Sequence, residues 1–252
     1  IYDISKFKVS DRPKIIKYKP SRKEVDMERE FTFKYSGRKW KGVPIISSNM
    51  DTVSSVSMFK KLSQHKILTC FHKFIDIKEI ITAVKEGSDP QYMMLSTGIT
   101  EPDYDKLLLN VTLLHNEDID LQFICIDVAN GYMFKLVDFC KRIRTLFPKI
   151  TLIAGSVVSR EITEELIING KIDIVRVGIG SGAVCTTRLQ TGVGIPQLSA
   201  NIECSDAAHG LGGCIISDGG ICHPGDVSKA YGAGADFVMI GRKAIGNPNI
   251  FS

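Results

Sequence analysis

The sequence has no long hydrophobic run. None of its apolar stretches approaches the roughly 20 residues that a helix needs to cross a bilayer, so we expect neither a membrane span nor a signal peptide. Charged residues make up 24% of the chain and hydrophobic residues 44%, which is ordinary for a globular protein. The composition therefore argues against a membrane-spanning or disordered chain, and we expect a cytoplasmic protein with no membrane partner.

Paired cysteines are also lacking. The seven cysteines form no CxxC motif, and the adjacent Cys222 and His223 have no partners at the spacing of zinc ligands. We therefore expect reduced thiols and no structural metal site.

Few aromatic residues are interleaved with the basic ones. The net charge is +4, and lysine and arginine recur in a basic N-terminal segment over residues 1–41. Because nucleic-acid surfaces combine basic with aromatic side chains, we expect no nucleic-acid partner. A solvated face explains most of these lysines, and an anionic ligand is the alternative.

Eight short apolar runs predict strands that are buried on both faces, as in a parallel sheet. They cover residues 44–49, 67–71, 92–97, 123–128, 151–157, 173–179, 214–219 and 236–241. Amphipathic stretches between them predict helices, among them residues 76–87, 132–147, 160–171 and 223–235. Eight such alternations in 252 residues predict an α/β fold, a (β/α)8 TIM barrel, as one domain over residues 1–252.

Two further absences bear on this fold. A doubly wound sheet usually carries a GxGxxG turn after its first strand, and none follows residues 44–49. After the eighth strand only a short tail remains, in which Asn247-Pro248 predicts a turn. A barrel needs an eighth helix to cover its seam, so we expect part of the C-terminal region to be missing.

Polar residues and glycines follow the predicted strands, where a barrel carries its chemistry. They are Asn49, Met50, Asp51, His72, Lys73, Ser96, Thr97, Gly98, Asp127, Gly155, Ser156, Asp218, Gly219 and Gly220. Residues 176–194 add a glycine-rich loop that displays Cys185 after a strand. The thiol could pack like a small apolar side chain, but the loop composition is poor for a core and favours an exposed, reactive thiol.

Motifs along most of the chain resemble those of the GMP reductase family. They are GVPIISSNMDTV (42–53), DVANGY (127–132), VGIGSGAVCTTR (177–188), GVGIPQLSA (192–200), DAAHG (206–210), ISDGGI (216–221) and GDVSKAYGAGADFVM (225–239). The sister IMP dehydrogenases share the first, third and sixth of these, whereas DVANGY is the reductase form. Residues 72–96 also leave no room for the regulatory domains that most dehydrogenases insert there.

The resemblance implies an NADPH-dependent reduction of GMP to IMP and ammonia by a cytoplasmic homotetramer. Cys185 would attack purine C2 to form a thioimidate, and Thr187 would donate a proton. In the family a glutamate far beyond the eighth strand assists that threonine, and this sequence stops before it. A K⁺ ion would bind backbone carbonyls of the cysteine loop.

Binding residues are implied by position. For the GMP or IMP nucleotide they are Asp218, Gly219, Gly220, Gly241 and Arg242; for NADPH, Ser21, Arg22, Lys73, Asp127, Val128, Ala129, Ile179 and Gly180; for K⁺, Gly180, Gly182, Cys185 and Arg188. Arg242 stands where the family has glycine or serine, so it either pairs with the phosphate or blocks the pocket. The tail that contains Arg242 is locally similar to dihydrouridine synthases.

Two other functions stay open. The same thioimidate chemistry would serve an enzyme that oxidises IMP with NAD⁺, as the dehydrogenases do. Alternatively, a pseudoenzyme could keep the barrel and the thiol and bind a nucleotide without turnover.

Overall fold

A closed ring of eight parallel strands forms the centre of the computed structural model, which describes residues 25–182 and 185–241. The strands are β1 (Arg29–Thr32), β2 (Lys39–Ser47), β3 (Ile67–Phe71), β4 (Met93–Thr97), β5 (Phe123–Asp127), β6 (Thr151–Val157), β7 (Ile174–Val177), β8 (Cys214–Asp218) and β9 (Phe237–Ile240). Strands β2 to β9 pair in chain order, and β2 also pairs with β9. The predicted (β/α)8 barrel is confirmed.

Helices surround this ring and connect its strands. They are α1 (Val56–Gln64), α2 (Ile77–Lys85), α3 (Glu101–Asn116), α4 (Phe134–Leu146), α5 (Arg160–Ile168), α6 (Thr187–Thr191), α7 (Gln197–Gly210) and α8 (Pro224–Gly232). The four helices predicted by bounds are α2, α4, α5 and α8, each found within a turn of those bounds. Within the described residues, no helix has both the length and the apolar character needed to cross a membrane.

Successive side chains along each strand point to opposite faces, and both faces of the ring are buried. One set fills the interior of the barrel: Ile46, Leu68, Met94, Phe123, Ile153, Ile174, Ile216 and Phe237. The alternate set packs against the helices, as Leu152 and Ala154 of β6 do. This double burial explains why the strand sequences are continuously apolar rather than alternating.

A β-hairpin closes one end of the barrel, and its first strand was not predicted from the sequence. β1 pairs antiparallel with the first half of β2, which is why β2 begins before the predicted residue 44. The rings of Phe31 and Phe33 lie 4.5 Å and 5.6 Å, centre to centre, from those of Phe237 and Phe123. Since Phe123 and Phe237 begin their strands, the hairpin covers the N-terminal end and leaves the C-terminal end for a site.

Three predicted site residues lie outside the described residues. They are Ser21, Arg22 and Arg242. Ala183 and Val184, inside the cysteine loop, also lie outside.

Candidate functional site

Charged side chains form the last layer of the barrel interior at its C-terminal end. Asp127 follows Cys125 by two residues, Arg176 follows Ile174, and Asp218 follows Ile216; the three earlier residues all fill the interior. The period of two along a strand therefore directs all three charged side chains inward. The apolar interior ends in a polar layer at the mouth.

Arg176 joins two carboxylates within this layer. Its Nη1 lies 2.7 Å from Oδ1 of Asp127, and its Nε and Nη2 each lie 2.8 Å from Oδ2 of Asp218. Asn49, after β2, donates from Nδ2 to Oδ2 of Asp127 at 2.7 Å. The contacts thus run across the mouth from β2 to β8.

The guanidinium of Arg176 keeps its charge although only 11% of the side chain is exposed. Burial alone lowers the pKa of such a group, but the charges of Asp218 and then Asp127 outweigh it and hold the pKa well above the ordinary arginine value. Arg176 is therefore a permanent cation between two acidic side chains.

Cys185 is exposed on the loop between β7 and α6. Its backbone N–H donates to the carbonyl of Gly182 at 3.0 Å, and its Sγ lies 3.2 Å from Oγ1 of Thr187. The Thr187 hydroxyl, then the Thr187 backbone N–H and, more weakly, the charge of Arg188 lower the pKa of the Cys185 thiol. These contacts favour the thiolate, which is the nucleophilic form.

The cysteine loop packs directly on the turn that follows Asp218. Gly219 has a φ of +102°, and a Cβ there would collide with Oγ of Ser181. Gly178, with a φ of +147°, passes so close to Asp218 that a Cβ would overlap its carbonyl oxygen. Glycine is needed at both positions because the two loops touch through their backbones.

Gln197, the first residue of α7, ties the cysteine loop to the barrel. Its Nε2 donates to the carbonyl of Val177 at 2.8 Å and to Oδ1 of Asn201 at 3.0 Å, while its Oε1 accepts from Oγ of Ser181 at 2.6 Å. Asn201 in turn donates to the buried Ser217 at 2.8 Å. The helix start, β7, β8 and the cysteine loop are therefore held in one hydrogen-bond network.

A buried hydroxyl is left over at the mouth. Oγ of Ser48 finds no hydrogen-bond partner among the described residues, and a Cβ at Gly241 would come within 2.7 Å of it. Buried polar atoms without partners are rare in proteins. Ser48 is therefore an exception among the described polar side chains at the mouth.

A separate cavity of about 680 Å³ lies near the other end of the barrel. Val111, Leu121 and Phe147 line it, and Arg38 and Asp120 at its edge already form an ion pair with each other. None of the predicted site residues that the structure describes lines this cavity, so the mouth remains the candidate site.

Comparisons with known proteins identify the family of this chain. The domain family described as "IMP dehydrogenase / GMP reductase domain" matches residues 12–247. This chain belongs to that family. Proteins named GMP reductase from Klebsiella pneumoniae and Vibrio cholerae are each 52% identical to it over 229 residues, which is 90% of this chain. The alignment covers 65% of each of those relatives.

The structure brings together the nucleotide and cofactor carboxylates implied by the family, Asp218 and Asp127, through Arg176. The backbone N–H of Val128 donates to the carbonyl of Gly155 at 2.9 Å, whereas Ala129 is exposed. Backbone groups therefore anchor the start of the DVANGY loop to β6 and leave its next residue open.

Lys73 has a partner of its own. Its Nζ lies 2.9 Å from Oδ1 of Asp103 on α3 and 5.3 Å from the ring centre of the exposed Phe74. A cofactor phosphate that binds Lys73 would therefore have to compete with a carboxylate.

The potassium residues implied by the family offer backbone oxygens. The carbonyl of Gly182 accepts from Cys185 and that of Arg188 from Gly192, both at 3.0 Å, and each keeps a second lone pair. Within the described residues, no three histidine, cysteine or acidic side chains cluster as a metal site. The carbonyl donor set that the family implies contains no carboxylate, and such a set would suit K⁺ better than a divalent ion.

Sequence reasoning missed the roles of Arg176, Gln197 and Ser48. A signal for Arg176 was present, because it is the one charged residue in the apolar run VRVGI of residues 175–179. A charge on a buried strand requires a counter-charge. Nothing comparable in the sequence marks the partners of Gln197.

Proposed function

We propose that this chain acts as a GMP reductase, which uses NADPH to convert GMP to IMP and ammonia in the cytoplasm. The observation that carries the proposal is the packing of the Cys185 loop on the turn over residues 218–220. It brings the loop that carries the Cys185 thiol against the turn that follows Asp218, a carboxylate suited to ribose hydroxyls. Relatives named GMP reductase, at 52% identity, support the same reaction.

The turn after β8 would hold the nucleotide. Asp218 would accept hydrogen bonds from ribose hydroxyls, and the backbone N–H groups of Gly219 and Gly220, with φ of +102° and +75°, would donate to a phosphate. Gly241 and Ser48, whose hydroxyl has no partner among the described residues, would lie near the same ligand. We assign Arg242 to the same phosphate on the sequence alone.

Cys185 would supply the nucleophile. Its thiolate forms a bond to purine C2, the amino group on C2 takes up a proton and leaves as ammonia, and a thioimidate remains. After hydride reaches C2, the electron pair of the C–S bond returns to sulfur and IMP departs. The cycle consumes one GMP, one NADPH and one proton, and it regenerates the thiolate.

Thr187 would pass the proton to the leaving amino group. Its hydroxyl lies 3.2 Å from Sγ and would thus be near the carbon to which sulfur becomes bonded. The same hydroxyl lowers the thiol pKa before the attack. One side chain therefore serves both the attack and the departure.

The remaining assignments concern the two cofactors and the assembly. NADPH supplies the hydride and would contact Lys73, Asp127, Val128, Ala129, Ile179 and Gly180, with Ser21 and Arg22. K⁺ would hold the cysteine loop through Gly180, Gly182, Cys185 and Arg188. The homotetramer is proposed on the family resemblance alone.

The test is GMP-dependent loss of NADPH absorbance with K⁺ present, combined with calorimetric titration of GMP. We expect turnover by the unmodified chain. Cys185→Ala should bind GMP with little change and oxidise no NADPH, because only the covalent step is lost.

Cys222→Ala is the matched control, since this half-buried cysteine lies outside the loop, and it should retain turnover. Turnover that survives in Cys185→Ala would contradict the covalent mechanism. GMP binding without turnover by the unmodified chain would instead indicate a nucleotide-binding barrel.

A further inference from the structure

One guanidinium is shared by two carboxylates that, on the proposed function, serve different ligands. Asp218 belongs to the nucleotide and Asp127 to the cofactor, and Arg176 contacts both. We infer that Arg176 is a positioning residue that couples the nucleotide site to the cofactor site. This inference rests on the proposed function.

The geometry of the guanidinium makes the two contacts interdependent. Two of its nitrogens converge on Oδ2 of Asp218 at 2.8 Å, and the third reaches Oδ1 of Asp127 at 2.7 Å. The group is planar and rigid. A shift of Asp218 therefore turns the plane and changes the position that Asp127 must take.

The two carboxylates differ in what they leave open. Both oxygens of Asp127 have donors, from Arg176 and Asn49, whereas Oδ1 of Asp218 has none among the described residues. A ribose hydroxyl can thus bind Asp218 without displacing Arg176. The effect of that binding then passes through the remaining oxygen to the guanidinium.

Burial strengthens the link. The side chains of Arg176, Asp218 and Asp127 are 11%, 20% and 35% exposed, so water screens their interactions only partly. One cation also balances two acidic groups here. If one carboxylate changes its charge or position, the interaction of Arg176 with the other carboxylate therefore changes as well.

The test measures the effect of each carboxylate on the ligand that it does not touch. Dissociation constants of GMP alone and of NADPH alone are determined by calorimetry. We expect Asp218→Asn to weaken NADPH binding, and Asp127→Asn to weaken GMP binding, each by roughly fivefold or more.

The same substitutions are then made together with Arg176→Lys. Lysine keeps the positive charge but presents a single donor group in place of a fork. We expect the cross-site effects to fall to about twofold or less, the range of independent sites. Arg144→Lys is the matched control, because Arg144 pairs with the buried Asp173 at the opposite end of the barrel, and it should preserve the cross-site effects.

Each outcome bears on the inference. The inference would be overturned if the cross-site effects were absent while Arg176 is present. It would also be overturned if they persisted unchanged in the Arg176→Lys background. Either result would leave the proposed function intact. Failure of the unmodified chain to bind GMP or NADPH would overturn both. Circular dichroism of every variant separates loss of fold from loss of coupling, and the two aspartate variants test the inference without any change at Arg176.

Discussion

At the scale of single residues, the surroundings of each cysteine decide its reactivity. Burial raises the pKa of the Cys204 thiol to about 11, and it also raises the pKa values of the Cys140 and Cys70 thiols. Cys185 is the exposed one of the seven, and its pKa is lowered. Cys185 is therefore better suited to attack at neutral pH than the buried Cys70, Cys140 and Cys204.

Thr187→Val should make Cys185 less reactive near neutral pH. The Thr187 hydroxyl is the largest cause of the lowered thiol pKa, so its loss raises that pKa and shrinks the thiolate fraction. We expect iodoacetamide to label Cys185 several-fold more slowly, with the midpoint of the pH–rate profile at higher pH. The rate is followed by mass spectrometry of the labelled peptide.

Thr186→Val is the control for this prediction. Thr186 is exposed and its side chain makes no capping bond to α6, so its loss should leave the profile unchanged. Equal profiles for the two variants would show that the Thr187 hydroxyl does not set the pKa.

At the scale of elements, α7 matters because of its first turn. Pro196 precedes the helix without a side-chain cap, and Gln197 instead uses its amide to join β7, the cysteine loop and Asn201. The first turn of α7 therefore holds the cysteine loop in place.

Methionine is similar in size to glutamine but cannot make these hydrogen bonds. Gln197→Met should therefore destabilise the protein by about 1–3 kcal/mol, because several half-buried polar groups lose their partner. The free energy of unfolding in urea measures this. Gln190→Met, on the exposed side of α6, should change that free energy by less than about 0.5 kcal/mol. Equal effects would mean that the network around Gln197 contributes little.

At the scale of the whole molecule, a buried ion pair secures each end of the barrel. At the mouth it is Arg176 with Asp127 and Asp218. At the closed end, Asp173 accepts from the backbone of Tyr35 at 2.7 Å and from Arg144 at 2.6 Å. The second cluster ties the N-terminal hairpin to the ring.

Asp173→Ala should cost about 3–5 kcal/mol of stability, because it leaves Arg144 buried with an unpaired charge. Urea denaturation of this variant and of Asp120→Ala makes the comparison. Asp120 pairs with Arg38 but its side chain is 60% exposed, so its loss should cost less than about 1 kcal/mol. A loss at Asp173 as small as that at Asp120 would contradict the role assigned to the buried pair.

Much of the fold was predictable from local pattern. The bounds of β3 and β6 match the predicted residues 67–71 and 151–157, because buried strands are apolar throughout. β1 was missed because REFT is short and mixes charged with aromatic side chains. Its Phe31 packs against Phe237 at the N-terminal end of the barrel, a tertiary contact that no local pattern reveals.

The candidate site, like the fold, was predictable from the sequence only in part. The sequence by itself determined the glycine-rich loop, the position of Cys185 after a strand and the acidic residues at strand ends, since each follows from neighbouring residues. Tertiary structure alone decided which groups meet. Arg176 contacts Asp218 and Asp127 from 42 and 49 residues away, and those contacts exist only because the strands close into a ring and direct alternate side chains into its centre.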